Sequence, residues 1–265
     1  MRNKRRFCAA LLCAALLTGC GQTATVTENS DESTTTTSAQ AGEAYMEENV
    51  ITEAVTEVPT EPPLITVTEL PRQHQIDVPA LLQNPELPAG CEITSLTCLL
   101  NYLGYPVDKV VMADTYLDYV TENGTNYTFF EKYIGSPHSN GYGCYSPVIM
   151  KAATEFLADQ NSSLKPVNLS GSTQEELLMA VASGHPIVIW NTMGSSSVYE
   201  DLVWTTPDGE DVYWCILEHC MLLTGYDLEA NTVTVCDPLN GVMAYDLTQF
   251  FAVYDDMYQQ AMTIY

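Results

Sequence analysis

From Cys91 onward, apolar side chains fall at Ile93, Leu96, Leu99, Leu100 and Leu103. That spacing predicts one buried face of a helix, and Gly104 is suited to end it. Upstream, Gln83-Asn84-Pro85-Glu86-Leu87-Pro88-Ala89-Gly90 reads as a Pro/Gly-rich loop, so the helix opens at Cys91. Ser146-Pro147 is predicted as the N-cap and first position of a second helix through Ile149, Met150, Ala153, Phe156 and Leu157. Ser172-Thr173-Gln174-Glu175 reads as a capping box in front of 176–181, with Gly184 behind. The period then changes. His185-Pro186-Ile187-Val188-Ile189-Trp190-Asn191 reads as a buried strand. Cys215 to Tyr226 and Thr232 to Cys236 read as two more, joined by a turn at 227–231. Helices early and strands late predict an α+β fold with an antiparallel sheet.

The first 65 residues follow neither period. Residues 1–20 combine Arg2, Lys4, Arg5 and Arg6 with an apolar stretch from Phe7 to Leu17, too short to span a bilayer. They are expected to be a secretory signal. Its ending, Leu17-Thr18-Gly19-Cys20, resembles a bacterial lipobox, which implies cleavage before Cys20 and lipidation of its sulfur. Residues 21–65 contain no Lys or Arg, many Thr and Glu and several late Pro. Such a stretch has too little apolar surface to offset its ordering entropy, so a disordered acidic tether is expected. Its random-coil span would be roughly 35–40 Å. Residues 66–265 remain as one domain, about 200 residues and large enough for a single core.

Charge narrows the partners. The net charge is −25, and without the four basic residues of 1–20 it becomes −29, from 5 basic and 34 acidic residues. Nucleic acid and anionic head groups are poor partners for such a chain. A membrane contact is expected only through the lipid at Cys20, with the chain exported, held at the outer face of the cytoplasmic membrane, and monomeric.

Cys91 is the candidate nucleophile. At the first turn of a helix it faces unpaired N–H groups and the positive end of the helix dipole, which predicts a thiol pKa below its free value. Two further motifs supply partners. Glu218-His219-Cys220-Met221-Leu222-Leu223-Thr224-Gly225-Tyr226-Asp227 places His219, Met221 and Leu223 on one face of a strand. Val233-Thr234-Val235-Cys236-Asp237-Pro238-Leu239-Asn240-Gly241 ends a second strand at Asp237. Antiparallel pairing of the two would set His219 beside Asp237, completing a thiol triad of nucleophile, base and orienting acid. The histidines at 74, 138 and 185 read as solvated or structural, Trp190 and Tyr145 as pocket or core aromatics. Glu92 and Glu218 flank the triad without an assigned role. A zinc set of Cys215, His219, Cys220 and Cys236 is disfavoured, because the adjacent His219 and Cys220 point to opposite faces of their strand. No metal and no cofactor are expected. Cys98 reads as a small buried residue. Cys220 and Cys236 are expected to be neighbours behind the triad, as two thiols or a disulfide.

Gln-x-Pro-Glu-Leu-Pro-x-Gly-Cys-Glu at 83–92, Glu-His-x-x-x-Leu-x-Gly-Tyr-Asp at 218–227 and Asp-Pro-Leu-Asn-Gly at 237–241 resemble the C39-like peptidases of bacterial surfaces. Those belong to the papain-like cysteine peptidases, and the likeness runs over about 70–265. The resemblance implies a papain-like α+β fold with the nucleophile helix packed on an antiparallel sheet. It implies Cys91 as nucleophile, His219 as general base, Asp237 as orienting acid and Gln83 as oxyanion donor. The activity it implies is peptide-bond hydrolysis through an acyl-enzyme, on peptide or protein substrates. Cys220 departs from the small apolar residue usual beside the base. The alternatives are a non-catalytic papain-like module that binds cell-wall or host peptides, or an amidase or transpeptidase directed at peptidoglycan.

Overall fold

The structure, a computed structural model, describes residues 63–265. The proposed signal at 1–20, Cys20 and the tether up to residue 62 lie outside the described residues. Leu64 and Ile65 already pack against the core, and the Thr66 N–H donates to Ser183 Oγ at 2.9 Å.

In chain order the elements are β1 (Gln73–Gln75), α1 (Cys91–Tyr102), α2 (Lys109–Thr115), β2 (Tyr119–Val120), β3 (Tyr133–Gly135) and β4 (Gly141–Gly143). Next come α3 (Ser146–Asp159), β5 (Pro166–Asn168), α4 (Gln174–Ala182), β6 (Ile187–Thr192), β7 (Glu200–Thr205) and β8 (Asp211–Cys215). The chain closes with β9 (Glu218–Asp227), β10 (Thr232–Asp237), β11 (Gly241–Asp246), α5 (Leu247–Asp256) and β12 (Ala261–Ile264). The main sheet runs β11-β10-β9-β6-β12-β5, with β1 joining the far end of β9, and its pairs are antiparallel. A small β2-β3-β4 sheet and the β7–β8 hairpin flank it.

β9 is the spine. Nine of its ten residues are buried, and Cys220 to Leu223 run apolar without alternation. Trp190 pairs with Cys220, and its indole N–H donates to Cys144 O at the approach to α3. Asn191 pairs with His219, and its amide donates to Phe250 O in α5. Neighbouring strand positions face opposite sides, so α5 covers one face of the sheet and the α1–α3 layer the other. Leu96, Leu99, Leu100 and Ile93 of α1 are fully buried beneath this layer. At about 25 cal/mol per Å² of apolar surface, that helix is held by its packing far more than by propensity.

Several expectations shift by a residue or two. α3 is capped at Tyr145 rather than Ser146, whose hydroxyl makes no hydrogen bond. The capping box before α4 is Thr173 with Glu176, one residue later than Ser172 with Glu175. Adjacent residues compete for each cap, and only the backbone direction entering the helix selects one. Cys215 ends β8 instead of starting the long strand, because residues 216–217 form a tight turn. Cys220 and Cys236 are not paired. Cys236 lies opposite Leu222 after a bulge at Thr224 in β9, and its thiol donates to Val78 O at 3.4 Å, beside Cys98 of α1, whose thiol donates to Pro79 O at 3.4 Å. All six cysteines from Cys91 on are free thiols.

Candidate active site

The loop before α1 is tied down by its backbone. Leu87 N–H donates to Gln83 O, Gly90 N–H to Leu87 O, and Ala89 N–H to Pro137 O. Gln83 N–H donates to Pro238 O at 2.8 Å, joining this loop to the residue after Asp237. Lys109, nearly buried at the start of α2, donates from Nζ to the Leu82 and Gln83 carbonyls and pairs with Glu86 at 2.8 Å. The loop therefore delivers Gln83 and Cys91 to one place.

That place is a cavity of about 330 Å³ whose walls include Gln83, Cys91, His219, Glu218, Trp214 and Tyr142. His219 and Asp237 are each only 1 % exposed, and His219 Nε2 meets Asp237 Oδ1 at 2.7 Å. Asp237 also accepts from Leu239 N–H at 2.8 Å, Asn240 Nδ2 at 2.9 Å and the Tyr245 hydroxyl at 3.0 Å. Burial pushes its carboxyl up, but the hydrogen bonds from His219, Asn240 and Leu239 outweigh it and hold the group well below the usual carboxylate range. With Nε2 committed to Asp237, Nδ1 is the nitrogen left for a thiol. Gln83 donates from Nε2 to Pro88 O at 2.8 Å, and its buried Oε1 has no partner. The four residues singled out by sequence are thus brought together, Cys91, His219 and Gln83 on one cavity and Asp237 directly behind His219.

The thiol departs from expectation. Burial raises the Cys91 pKa, and the Glu92 and Glu218 carboxyls raise it further. A helix N-terminus carries only about half a unit charge, too little to offset the burial of the thiol. Cys91 is therefore held toward its thiol form. Its Sγ donates to Glu92 Oε2 at 3.3 Å, while Glu92 Oε1 accepts from Cys144 N–H at 2.8 Å. Burial lifts Glu92 to about 7, partly offset by those hydrogen bonds. Glu218 is pushed up by burial, then by Glu92 and Cys215.

Sequence reading placed Glu92 and Glu218 beside Cys91 and His219 without a role, but it did not find that both are buried against the Cys91 thiol, nor the wall made by Trp214 and Tyr142. Glu92 and Glu218 lie 126 positions apart in the chain, and nothing local marks either as buried. Trp214 sits on β8 with its ring 4.3 Å from that of Phe129, in an aromatic cluster that includes Tyr142, Tyr145 and Trp204. Gly143 is required here. Its φ is +146°, and an added Cβ would come within 2.4 Å of Glu92 Oε1 and 2.7 Å of the Trp214 ring.

Among the described residues Cys215, His219, Cys220 and Cys236 do not gather as a zinc set: the Cys236 thiol donates to Val78 O, and His219 meets Asp237.

Comparison with known proteins shows the family and the fold. The sequence model of the Peptidase_C39 like family matches residues 75–262. An uncharacterised protein of Bacillus subtilis (strain 168), YvpB, is 28% identical over 195 residues, covering 72% of each chain. A crystal structure from Bacillus anthracis, of a protein proposed to be a C39-like peptidase, superposes with a TM-score of 0.62. It is 30% identical and covers 71% of this chain and 94% of its own.

Proposed function

Since the chain belongs to the Peptidase_C39 like family, we propose that it is a cysteine peptidase working through Cys91, His219 and Asp237. The observation that carries this reading is the buried 2.7 Å contact of His219 with Asp237, on the cavity that also holds Cys91 at the start of α1. A substrate carbonyl enters the cavity and His219 Nδ1 takes the Cys91 proton as Sγ attacks. Asp237 keeps the proton on Nε2 and stabilises the imidazolium. The tetrahedral oxygen is met by the Cys91 N–H and the Gln83 amide. His219 then protonates the leaving amine, and water releases the acyl-enzyme. A neutral resting thiol suits this sequence, because the proton moves only when substrate displaces water and the ion pair forms.

The same reading places the domain outside the cell, held by a lipid on Cys20 and spaced by the acidic stretch that follows. The basic, short apolar and Leu-Thr-Gly-Cys pattern of residues 1–20 supports it.

The test is cleavage of a quenched-peptide library by the wild-type chain and by Cys91→Ser, Cys91→Ala, His219→Ala and Asp237→Asn. Wild-type turnover is expected, with losses of about 10³-fold or more for the first three. A wild-type chain that binds peptides as tightly as Cys91→Ala and cleaves none would make this a binding module.

A further inference from the structure

Behind the nucleophile the cavity wall gathers three groups that can each become an anion. Cys91 Sγ and one carboxylate oxygen each from Glu92 and Glu218 lie within 4.8 Å of one another, and all three residues are buried. Glu218 is 6 % exposed, and its buried Oε1 has no hydrogen-bond partner. The groups bearing on the two carboxyls are backbone N–H donors, thiols and each other, with no cation among them. A buried carboxylate without a partner is costly, so this arrangement is complete only when protonated or when a cation enters.

The spacing selects the cation. Zinc–thiolate and zinc–carboxylate bonds of about 2.3 and 2.0 Å at a tetrahedral angle separate the two ligand atoms by about 3.5 Å. Cys91 Sγ and Glu92 Oε2 are already 3.3 Å apart. Glu218 closes the set by a carboxylate rotation, and water from the cavity fills the fourth position. Calcium and magnesium require six or more oxygen ligands and do not favour sulfur.

We propose that Cys91, Glu92 and Glu218 form a reversible site for a borderline-soft divalent cation of the zinc class. Binding displaces the thiol proton and any proton on the two carboxyls: Sγ–H plus M²⁺ gives Sγ–M⁺ plus H⁺, and each protonated carboxyl that ligates the ion releases its own H⁺ to solvent. The metal thiolate cannot attack a carbonyl, so the ion holds the peptidase latent until a chelating ligand removes it. The inhibition rests on the peptidase reading. The binding does not.

The test uses the full chain, stripped with a chelator and titrated with Cd²⁺ as a spectroscopic probe and with Zn²⁺ by calorimetry. One equivalent per chain is expected, with a thiolate-to-cadmium charge-transfer band that Cys91→Ser abolishes. Glu92→Gln and Glu218→Gln should each weaken binding at least tenfold, and His219→Ala should keep the band. In the wild type, stoichiometric Zn²⁺ should shield Cys91 from alkylation, a measurement that needs no variant to fold. The proposal is overturned if both glutamine variants bind as the wild type does, if His219→Ala loses the band, or if Zn²⁺ leaves alkylation unchanged. A chain that binds one Zn²⁺ but never cleaves a peptide would refute the peptidase alone.

Discussion

Asp237 shows how much one residue can hold. Four donors converge on its two oxygens, so its carboxylate is stabilised in the folded state and its pKa lies below the ordinary 3.8. A depressed carboxyl contributes stability above its unfolded pKa and loses that contribution as pH falls through the folded value. Asp237→Asn should therefore be less stable than the wild type near neutral pH, by about 1.5–3 kcal/mol for charged hydrogen bonds replaced by neutral ones. The gap should narrow as the pH drops below the carboxylate range, as denaturant melts at several pH values would show. A gap independent of pH would mean the loss is steric. Cys91 offers a second measurement. It is the one cysteine among the described residues that line the cavity with His219 and Gln83. Iodoacetamide should thus modify Cys91 before Cys98, Cys144, Cys215, Cys220 and Cys236, and faster as pH rises. Peptide mass mapping reads the order.

At the scale of elements, two connections set the site's precision. Lys109 clamps the Gln83 loop from α2 through two carbonyls and an ion pair. Lys109→Met keeps the buried stem but removes the three bonds. Its kcat should drop by about 10- to 100-fold with KM little changed, because loose positioning costs rate before binding. Gln83→Ala should cost about 10²–10³ in kcat, and the double variant should lose little more than Gln83→Ala alone if Lys109 acts through that amide. The second connection is β4, where Gly143 lets the Glu92 carboxyl and the Trp214 ring approach the backbone. Gly143→Ala should destabilise by about 2–4 kcal/mol from overpacking and backbone strain together, measurable by thermal or urea unfolding.

For the whole molecule, packing that is already present at Leu64 sets the smallest folded unit. Limited proteolysis should remove the acidic N-terminal stretch and leave a fragment from about residue 64 with full Cys91 reactivity. Loss of cooperative melting in that fragment would place part of the stretch inside the fold. Cys20→Ser should release the active domain into the medium or block processing, read by fractionation of expressing cells.

How far the chain could be read without coordinates follows from the range of the forces involved. The α1 face, the strands around β6, β9 and β10, and the placing of Cys91 at a helix start depend on local spacing and turn chemistry, and these are written in consecutive residues. His219, Asp237 and Gln83 were legible because the three motifs occur in an order that resembles one family. Tertiary structure decided what local pattern cannot carry. A bulge at Thr224 in β9 set Cys236 opposite Leu222 and beside Cys98, without a disulfide. The fold buried Cys91 beside Glu92 and Glu218, and that burial with the two carboxyls raises its thiol pKa where the helix start alone would lower it. Burial and charge proximity are sums over the whole molecule, and residues 92 and 218 share no local signal that foretells their meeting.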